Sequence, residues 1–263
     1  MKENHLDRII SNNGDTEARI SSLGGTVVRF VRKGQDVFFP QQEIGGKIRG
    51  GMPLCAPWFG RSDRGGKNHG YLRDTRSFRD GLQSKTESIF LFDLVSNKGY
   101  PWPLLTEVSH MAYDCPADAG HGPFSFFRST LKIIRSENDK IVDRAPILPG
   151  FHPYFAGDAS KVVVKIGNEQ KEFGGFGEES RMIPFKANGG NPVTICLPGR
   201  TIEMELVGPF FSFDSHLVFW SDSPSDYFCV EPILQNPAQF ETEKGCYLAP
   251  GESLEISMIL RVF

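Results

Sequence analysis

The chain has 263 residues and a formal net charge of −3, with 39% hydrophobic and 23% charged residues. This composition is typical of a folded globular protein and is too apolar and too nearly neutral for a disordered chain. The sequence contains neither a basic run nor an apolar stretch of about 18 residues, so we expect neither nucleic acid nor a membrane as a partner.

The cysteines and the first residues bear on the cellular compartment. Five cysteines are present, an odd number, and none forms a CxxC pair. The chain begins Met-Lys-Glu-Asn-His-Leu-Asp, which lacks the apolar core of a secretory signal. We therefore predict reduced thiols and a cytoplasmic location, and a disulfide scaffold or a zinc ribbon is not favoured.

Short runs of β-branched and aromatic residues, bounded by Gly, Pro, Asn and Asp, recur along the chain, and no amphipathic helix stands out. The clearest predicted strands are residues 26–31, 87–95, 105–113, 124–134, 161–166, 201–207, 216–220, 227–230 and 254–262. Because helices do not alternate with these strands, we predict an all-β fold of packed antiparallel sheets or a barrel. Sandwiches of this kind reach about 250 residues as one domain, so we expect a single domain over residues 1–263.

A glycine-rich stretch, residues 45–70, interrupts the strand pattern and is typical of a long functional loop. A flat aromatic ring among several guanidinium groups suits a polyhydroxylated or anionic small ligand. The alternative is that the glycines only shape turns and the arginines are solvated. The stretch and the residues just after it carry, in order, Arg49, Trp58, Arg61, His69 and Arg73.

A second candidate is His152, which lies between Phe151 and the run Pro153-Tyr154-Phe155. An imidazole titrates near neutral pH and can donate or accept a proton there. The alternative is a core histidine whose nitrogens are satisfied by hydrogen bonds. A catalytic role for His152 therefore needs a partner.

Glu231 supplies such a partner, because it is the single carboxylate in the apolar run 227–234. Strand alternation places it on the same face as Cys229 and Tyr227, at the end of the predicted strand. Burial would raise the pKa of its carboxyl group towards that of a useful general base. The alternative is a hydrated glutamate that emerges at the strand end.

Two rival chemistries are less well supported. Zinc sites usually show two ligands at short local spacing, whereas His69, His152 and Glu231 are far apart in the chain, so we expect no metal. The sequence also has no G-x-S-x-G motif, which disfavours a serine hydrolase.

Five segments stand in an order that covers nearly the whole chain: RGGMPLCAPWFGR (49–61), HGYLRD (69–74), GFHPYF (150–155), CVEP (229–232) with Asn236-Pro237, and LAPGES (248–253). Taken together, these motifs resemble the aldose 1-epimerase (mutarotase) family, and within it the branch related to glucose-6-phosphate 1-epimerase. The resemblance implies a large antiparallel β-sandwich, the galactose mutarotase-like supersandwich, with a sugar site in a cleft on one sheet.

The resemblance also implies a reaction at the anomeric carbon of an aldose. Glu231 corresponds to the base that removes the proton of the anomeric hydroxyl, and His152 to the acid that protonates the ring oxygen. His69 corresponds to a second histidine that orients the ring oxygen or the hydroxyls. The C1–O5 bond breaks, the aldehyde turns about C1–C2, and closure gives the other anomer. This chemistry requires no cofactor, and none is expected.

Arg49 and Arg73 match the two arginines that the sugar-phosphate branch places around its anionic group, and Arg61 or Arg76 could serve instead. We also expect Trp58 and Tyr154 to contact the substrate. The implied partner is a small sugar or a sugar phosphate, bound by a monomer or weak homodimer.

The family generally has an aspartate that binds sugar hydroxyls between its histidine motif and its CVEP motif. By position, the nearest counterpart in this chain is Asn191, and Asp214 is another possibility.

Two alternatives to an enzyme remain open. One is a non-catalytic carbohydrate-binding protein of the same fold, with Trp58, Tyr154 and Phe155 as stacking faces. The other is an accessory or interaction domain without a ligand-sized cleft. The presence of a glutamate and two histidines in the family pattern favours the enzyme.

Overall fold

A computed structural model describes residues 6–62, 66–80, 84–94, 100–117, 122–167, 169–171, 176–185 and 192–263. Short 3₁₀ turns occupy Leu72–Asp74, Ala159–Lys161, Pro209–Phe211 and Pro237–Gln239. The strands are β1 Leu6–Ile10, β2 Thr16–Ser21, β3 Val27–Arg32, β4 Gln35–Phe38, β5 Gln42–Ile44, β6 Lys47–Arg49, β7 Leu54–Cys55, β8 Arg79–Asp80, β9 Glu87–Leu94, β10 Leu104–Cys115, β11 Phe124–Ile134, β12 Ala145–Ile147, β13 Gly150–Phe151, β14 Tyr154–Ala156, β15 Val163–Ile166, β16 Glu169–Lys171, β17 Arg181–Pro184, β18 Val193–Leu197, β19 Arg200–Val207, β20 His216–Trp220, β21 Tyr227–Ile233, β22 Cys246–Leu248 and β23 Ser253–Val262.

Two large antiparallel sheets contain most of these strands. In the first sheet, β1, β2, β3, β4 and β14 follow one another, β14 pairs with β21, and β20 and β17 continue beyond β21. The short strand β13 pairs with the same side of β21 as β14, and β7 pairs with β13. The second sheet has the order β16-β15-β18-β19-β23-β11-β10-β9-β8. Two small two-stranded ribbons, β5–β6 and β12–β22, complete the described strands.

The sheets pack face to face because their strands alternate buried and partly exposed side chains. Burial alternates residue by residue along nearly all of β10 and β11. Aromatic rings from the two sheets meet in the core, where Phe127 of β11 lies 4.7 Å from Phe30 of β3 and 6.1 Å from Phe38 of β4 between ring centroids. One cluster of buried apolar side chains includes residues of both sheets, from Ile9 to Val262. The predicted all-β antiparallel sandwich is thus confirmed.

Most predicted strands are present with small shifts. Residues 124–134 and 216–220 form strands with the predicted bounds. The strand predicted at 161–166 begins two residues late, because Asp158 caps a 3₁₀ turn that occupies Ala159–Lys161. The strand predicted at 227–230 continues to Ile233, so the prediction that Glu231 ends the strand is wrong.

The glycine-rich stretch is only partly a loop, because it contains β6 and β7. Its last glycine, Gly70, has a φ of +71° and lies against the backbone of Ala56. A Cβ atom on Gly70 would lie 2.2 Å from the Ala56 carbonyl oxygen, which is inside contact distance. Only glycine therefore fits at this position. Within the described residues, no helix is long and apolar enough to cross a membrane.

We predict that Gly70→Ala lowers the free energy of unfolding by about 3 kcal/mol, because it combines a left-handed backbone with a steric clash. Gly34→Ala is the matched control, since Gly34 has a φ of +79° and no other atom lies within 4 Å of the position that a Cβ would take there. We expect this control to cost only about 1 kcal/mol. Chemical denaturation measures both values, and equal losses would show that the contact with Ala56 carries no extra cost.

Candidate active site

The sheet register brings His152 and Glu231 together. β13 and β14 are consecutive short strands separated only by His152 and Pro153, and both pair with the same side of β21. The register that pairs Gly150 with Ile233 and Tyr154 with Cys229 therefore places His152 opposite Glu231. The two side chains point to the same face of the sheet, at the interruption between the two short strands.

The two side chains form a buried pair. The His152 Nε2 atom lies 3.5 Å from Glu231 Oε1, and the residues are only 7% and 2% exposed. Burial raises the pKa of Glu231 well above its ordinary value, because a charged carboxylate is poorly solvated there. Burial also lowers the pKa of His152 well below its ordinary value, and the positive charge of Arg73 acts in the same direction. Both shifts favour uncharged groups, so the pair holds one proton over a wide range of pH.

His69 lies beside this pair, with its ring centroid 5.1 Å from that of His152. The backbone N–H of Gly60 donates a hydrogen bond of 3.1 Å to the ring nitrogen Nδ1 of His69. In return, the backbone N–H of His69 donates to the Gly60 carbonyl at 2.7 Å. A ring nitrogen that accepts a hydrogen bond carries no proton, so the proton of the neutral ring is on Nε2. Burial, together with the positive charge of Arg73, lowers the pKa of His69 to about 4. His69 is therefore a neutral hydrogen-bond donor at neutral pH.

A cavity of about 880 Å³ opens above these residues, a size in the usual range for small-molecule sites. Side chains of the first sheet form its base, which we call the cavity floor: His152, Tyr154, Val218, Trp220 and Glu231. The Tyr154 ring stacks on the His152 ring at 4.7 Å, with an angle of 11° between the planes. Charged side chains also line the cavity, and we call them the cavity rim: Lys47, Arg49, Arg61, Arg73, Asp74 and Glu178.

Arg49 is held in place at one side of the cavity floor. Its Nε and Nη2 atoms donate hydrogen bonds of 2.9 and 2.6 Å to one carboxylate oxygen of Asp222. The guanidinium also lies over the Trp220 ring, 5.2 Å from the centroid. The Tyr227 hydroxyl donates to the other Asp222 oxygen. Asp222 thus neutralises part of the charge of Arg49 and fixes its orientation.

The structure brings most of the sequence-predicted residues to this cavity. His69, His152, Glu231, Arg49, Arg73 and Tyr154 all line it, as does Arg61. Arg76 and Asp214 do not line it. Asp214 instead accepts a hydrogen bond from Gln239 at 3.3 Å. Asn191 lies outside the described residues.

Trp58 is the clear exception. It is fully buried and does not line the cavity. Its ring packs against Tyr71 and Tyr100 with centroids 4.8 and 5.4 Å away, and its indole N–H donates to the Lys67 carbonyl. Phe155 is likewise buried in the core. Neither ring can stack on a ligand, so the expected contact of Trp58 with substrate is wrong, and of the three proposed stacking faces only Tyr154 reaches the cavity.

Sequence reasoning missed several residues that line the cavity or hold its lining in place. Trp220 supplies an aromatic face of the floor, and its signal was the alternation in the strand 216–220, which puts it on the same side as Val218. Asp222 had no local signal, because its partner Arg49 is 173 residues away. Lys47 and Glu178 belong to exposed segments, and no sequence pattern marked them.

Three buried groups could approach a metal ion. One nitrogen of His152, the Cys229 sulfur and one oxygen of Glu231 all lie within 4.8 Å of one another. Burial raises the pKa of the Cys229 thiol well above its ordinary value, which keeps the sulfur protonated and disfavours its use as a ligand. Among the described residues, no other residue accepts a hydrogen bond from His152 Nδ1, whereas metal-bound histidines usually donate from their second nitrogen. The arrangement therefore fits proton transfer better than metal binding.

No protein-family model and no curated protein matches the sequence. Solved structures nevertheless share the fold. The Slr1438 protein of Synechocystis sp. PCC 6803 has a TM-score of 0.74 at 18% identity, over 99% of this chain and 96% of that one. A galactose mutarotase-like protein of Lactobacillus casei ATCC 334 has a TM-score of 0.73 at 14% identity, over 98% and 100%.

A galactose 1-epimerase of Lactobacillus acidophilus NCFM has a TM-score of 0.57 at 10% identity, over 99% of each chain. At identities this low, the likeness concerns the fold. The chain has the galactose mutarotase-like β-sandwich that the sequence resemblance implied.

We predict that His69 stays neutral down to about pH 4, because burial and Arg73 oppose its protonation. A ¹⁵N NMR titration should show a neutral ring with its proton on Nε2, and His69→Gln should remove that resonance. His110, which is fully buried and bonds the Gly25 carbonyl, should titrate near the same pH. A His69 midpoint between pH 6 and 7 would contradict the placement of its ring against Gly60.

Proposed function

We propose that this protein is an aldose 1-epimerase, which interconverts the α- and β-anomers of an aldose by opening and closing the sugar ring. The observation that carries the proposal is the buried His152–Glu231 pair in the floor of a cavity of about 880 Å³. The mutarotase-like fold supports it, as do the sequence motifs around both residues. One core cluster with members from both sheets supports a single domain for the chain.

In this proposal the pair works as one acid–base unit. The Glu231 carboxylate removes the proton from the anomeric hydroxyl, the C1–O1 double bond forms, and the C1–O5 bond breaks. O5 takes a proton from the His152 imidazolium, so that the pair ends as a carboxylic acid and a neutral imidazole. The aldehyde rotates about C1–C2, and the reverse transfers close the ring on the other face and restore the pair.

His69 has a separate role, because its Nδ1 atom already accepts the hydrogen bond from the Gly60 N–H, whereas His152 is the histidine that pairs with Glu231. Its Nε2–H group is a donor directed beside His152, and it would hold the ring oxygen or a neighbouring hydroxyl. A fixed donor adjacent to the reacting oxygen stabilises negative charge as the C1–O5 bond breaks. Tyr154 and Trp220 give the sugar apolar surfaces to pack on.

The cavity rim suggests an anionic substrate. It carries Lys47, Arg49, Arg61 and Arg73 against Asp74 and Glu178, and Lys67 pairs with Asp74 at 2.9 Å. Guanidinium groups bind phosphate through paired hydrogen bonds. We therefore propose a hexose phosphate as the preferred substrate, with Arg49 and Arg73 near the phosphate.

We predict that Glu231→Gln lowers kcat for anomer exchange by about a thousandfold, because the amide cannot accept the hydroxyl proton. His152→Gln should cause a loss of similar size. NMR exchange between the anomers of glucose, galactose and glucose 6-phosphate measures the rates. Glu107→Gln, a partly buried glutamate of β10 outside the cavity, is the control and should keep full activity.

Full activity of Glu231→Gln would disprove its role as the base. Sugar binding by the unaltered protein without any acceleration of anomer exchange would favour the carbohydrate-binding alternative. Activity should also persist after dialysis against a chelator, because the proposed steps use only side chains of this chain. A loss that zinc restores would instead assign a metal to His152, Cys229 and Glu231.

We predict that Arg49→Ala raises KM for glucose 6-phosphate by about tenfold, the effect of losing a charge-assisted hydrogen bond, and leaves KM for glucose nearly unchanged. Arg29→Ala is the matched control, because Arg29 also pairs with an aspartate, Asp36 at 2.7 Å, but lies outside the cavity. Equal changes with both sugars would show that Arg49 orders Trp220 and Asp222 rather than binding phosphate.

A further inference from the structure

We propose that Cys229 is a positioning residue whose thiol donates a hydrogen bond to Glu231 and holds its carboxylate for proton transfer. The inference rests on the proposed function, since it assigns Glu231 its supporting group. It concerns a residue that contacts neither the cavity nor the substrate, so its effects differ from those of the catalytic pair.

Strand alternation places Cys229 next to Glu231 on the same face of β21. Its neighbours across the sheet are Tyr154 on one side and Trp220 on the other. Cys229 is fully buried, packs with Tyr154 and Tyr227, and does not line the cavity. The thiol therefore lies beneath the cavity floor, closed off from solvent by two aromatic rings of that floor.

From this position the thiol reaches the carboxylate. The Cys229 sulfur lies within 4.8 Å of a nitrogen of His152 and an oxygen of Glu231, so its S–H group can be directed at the Glu231 carboxylate. Burial, together with the negative charges of Glu231 and Asp222, raises the pKa of the thiol. Cys229 is thus a permanent S–H donor at neutral pH, and Glu231 is the acceptor.

This hydrogen bond opposes the effect of burial on the carboxylate. Burial raises the pKa of Glu231, whereas the bond from Cys229 lowers it. The base must be ionised to take the proton of the anomeric hydroxyl, and the thiol stabilises that form without adding a charge. A packing role alone would predict no change in the ionisation of Glu231.

Other groups around Glu231 also act on its ionisation and have to be kept constant in a test. Val218 faces it from β20 and is uncharged. The titratable or charged groups that surround it on the other elements are His152, His69, Arg73, Arg49, Tyr154, Asp222 and Cys55. Cys55 differs from the others, because burial raises the pKa of its thiol and keeps it uncharged; Cys55→Ala, which removes a fully buried thiol, is therefore a matched control.

The experiment compares the unaltered enzyme with Cys229→Ala, Cys229→Ser and Cys55→Ala. We expect Cys229→Ala to lower kcat about tenfold with KM unchanged. It should also shift the basic limb of the pH–rate profile, where the rate falls at high pH, to higher pH, because the carboxylic acid form of Glu231 is then favoured. Cys229→Ser, whose hydroxyl can donate the same bond, should restore most of kcat and the position of the limb. Cys55→Ala should leave both unchanged.

A second measurement does not depend on activity. The S–H stretching band of Cys229, isolated as the infrared difference between the unaltered protein and Cys229→Ala, should move to higher frequency in Glu231→Ala, because the acceptor is then removed. Thermal unfolding of each variant verifies that it is folded.

Unchanged kcat and pH limbs in folded Cys229→Ala would overturn the proposal. So would equal losses in Cys229→Ala and Cys229→Ser with both limbs unmoved, which would mean that the sulfur only fills space. If the unaltered protein accelerates no anomer exchange, the proposed function fails, and the infrared band alone then decides whether Cys229 donates to Glu231.

Discussion

The contact between His152 and Glu231 is the constraint on which the rest of the site depends. Two ionisable groups are buried side by side in the middle of a sheet, where neither can be fully charged without its partner. The register of β13, β14 and β21 sets their separation, so the geometry of the pair follows from backbone pairing. Residues 51–55 bind the segment from β13 to β14 on the side away from β21, since the backbone N–H groups of His152 and Tyr154 donate to the carbonyls of Pro53 and Gly51.

Burial also determines which form of the pair is favoured. With one proton shared, the pair can be a carboxylate with an imidazolium or a carboxylic acid with a neutral imidazole, and low polarity favours the second form. In the proposed reaction this uncharged form accompanies the open-chain aldehyde. Low polarity would therefore favour the open-chain intermediate over the charge-separated pair that opens the ring. The proposed hydrogen bond from Cys229 to the Glu231 carboxylate would oppose this effect.

The fold was largely predictable because strand periodicity is a local signal. Alternation alone placed Tyr227, Cys229 and Glu231 on one face, and the structure agrees. Packing between distant segments was not predictable in this way. Trp58 appeared to be a loop aromatic, but Tyr71, Tyr100 and Phe240 enclose it in the core. Likewise, the wide spacing of His152 and Glu231 in the chain placed no limit on their spacing in space, because neighbouring strands of a sheet come from distant parts of a sequence.

The floor and the rim of the cavity differ in how they are built. The floor consists of residues in strands of the first sheet together with His152 between β13 and β14. Hydrogen bonds between neighbouring strands support it, as does Arg49 through Asp222 and Tyr227. Most of the rim consists of exposed side chains on short strands and turns, such as Lys47, Arg61 and Glu178, whose replacement disturbs little packing. Under the proposed function, chemistry and selectivity would be carried by separate parts of the molecule. A lineage could then exchange one sugar for another by altering the rim, while the buried pair beneath it stays unchanged.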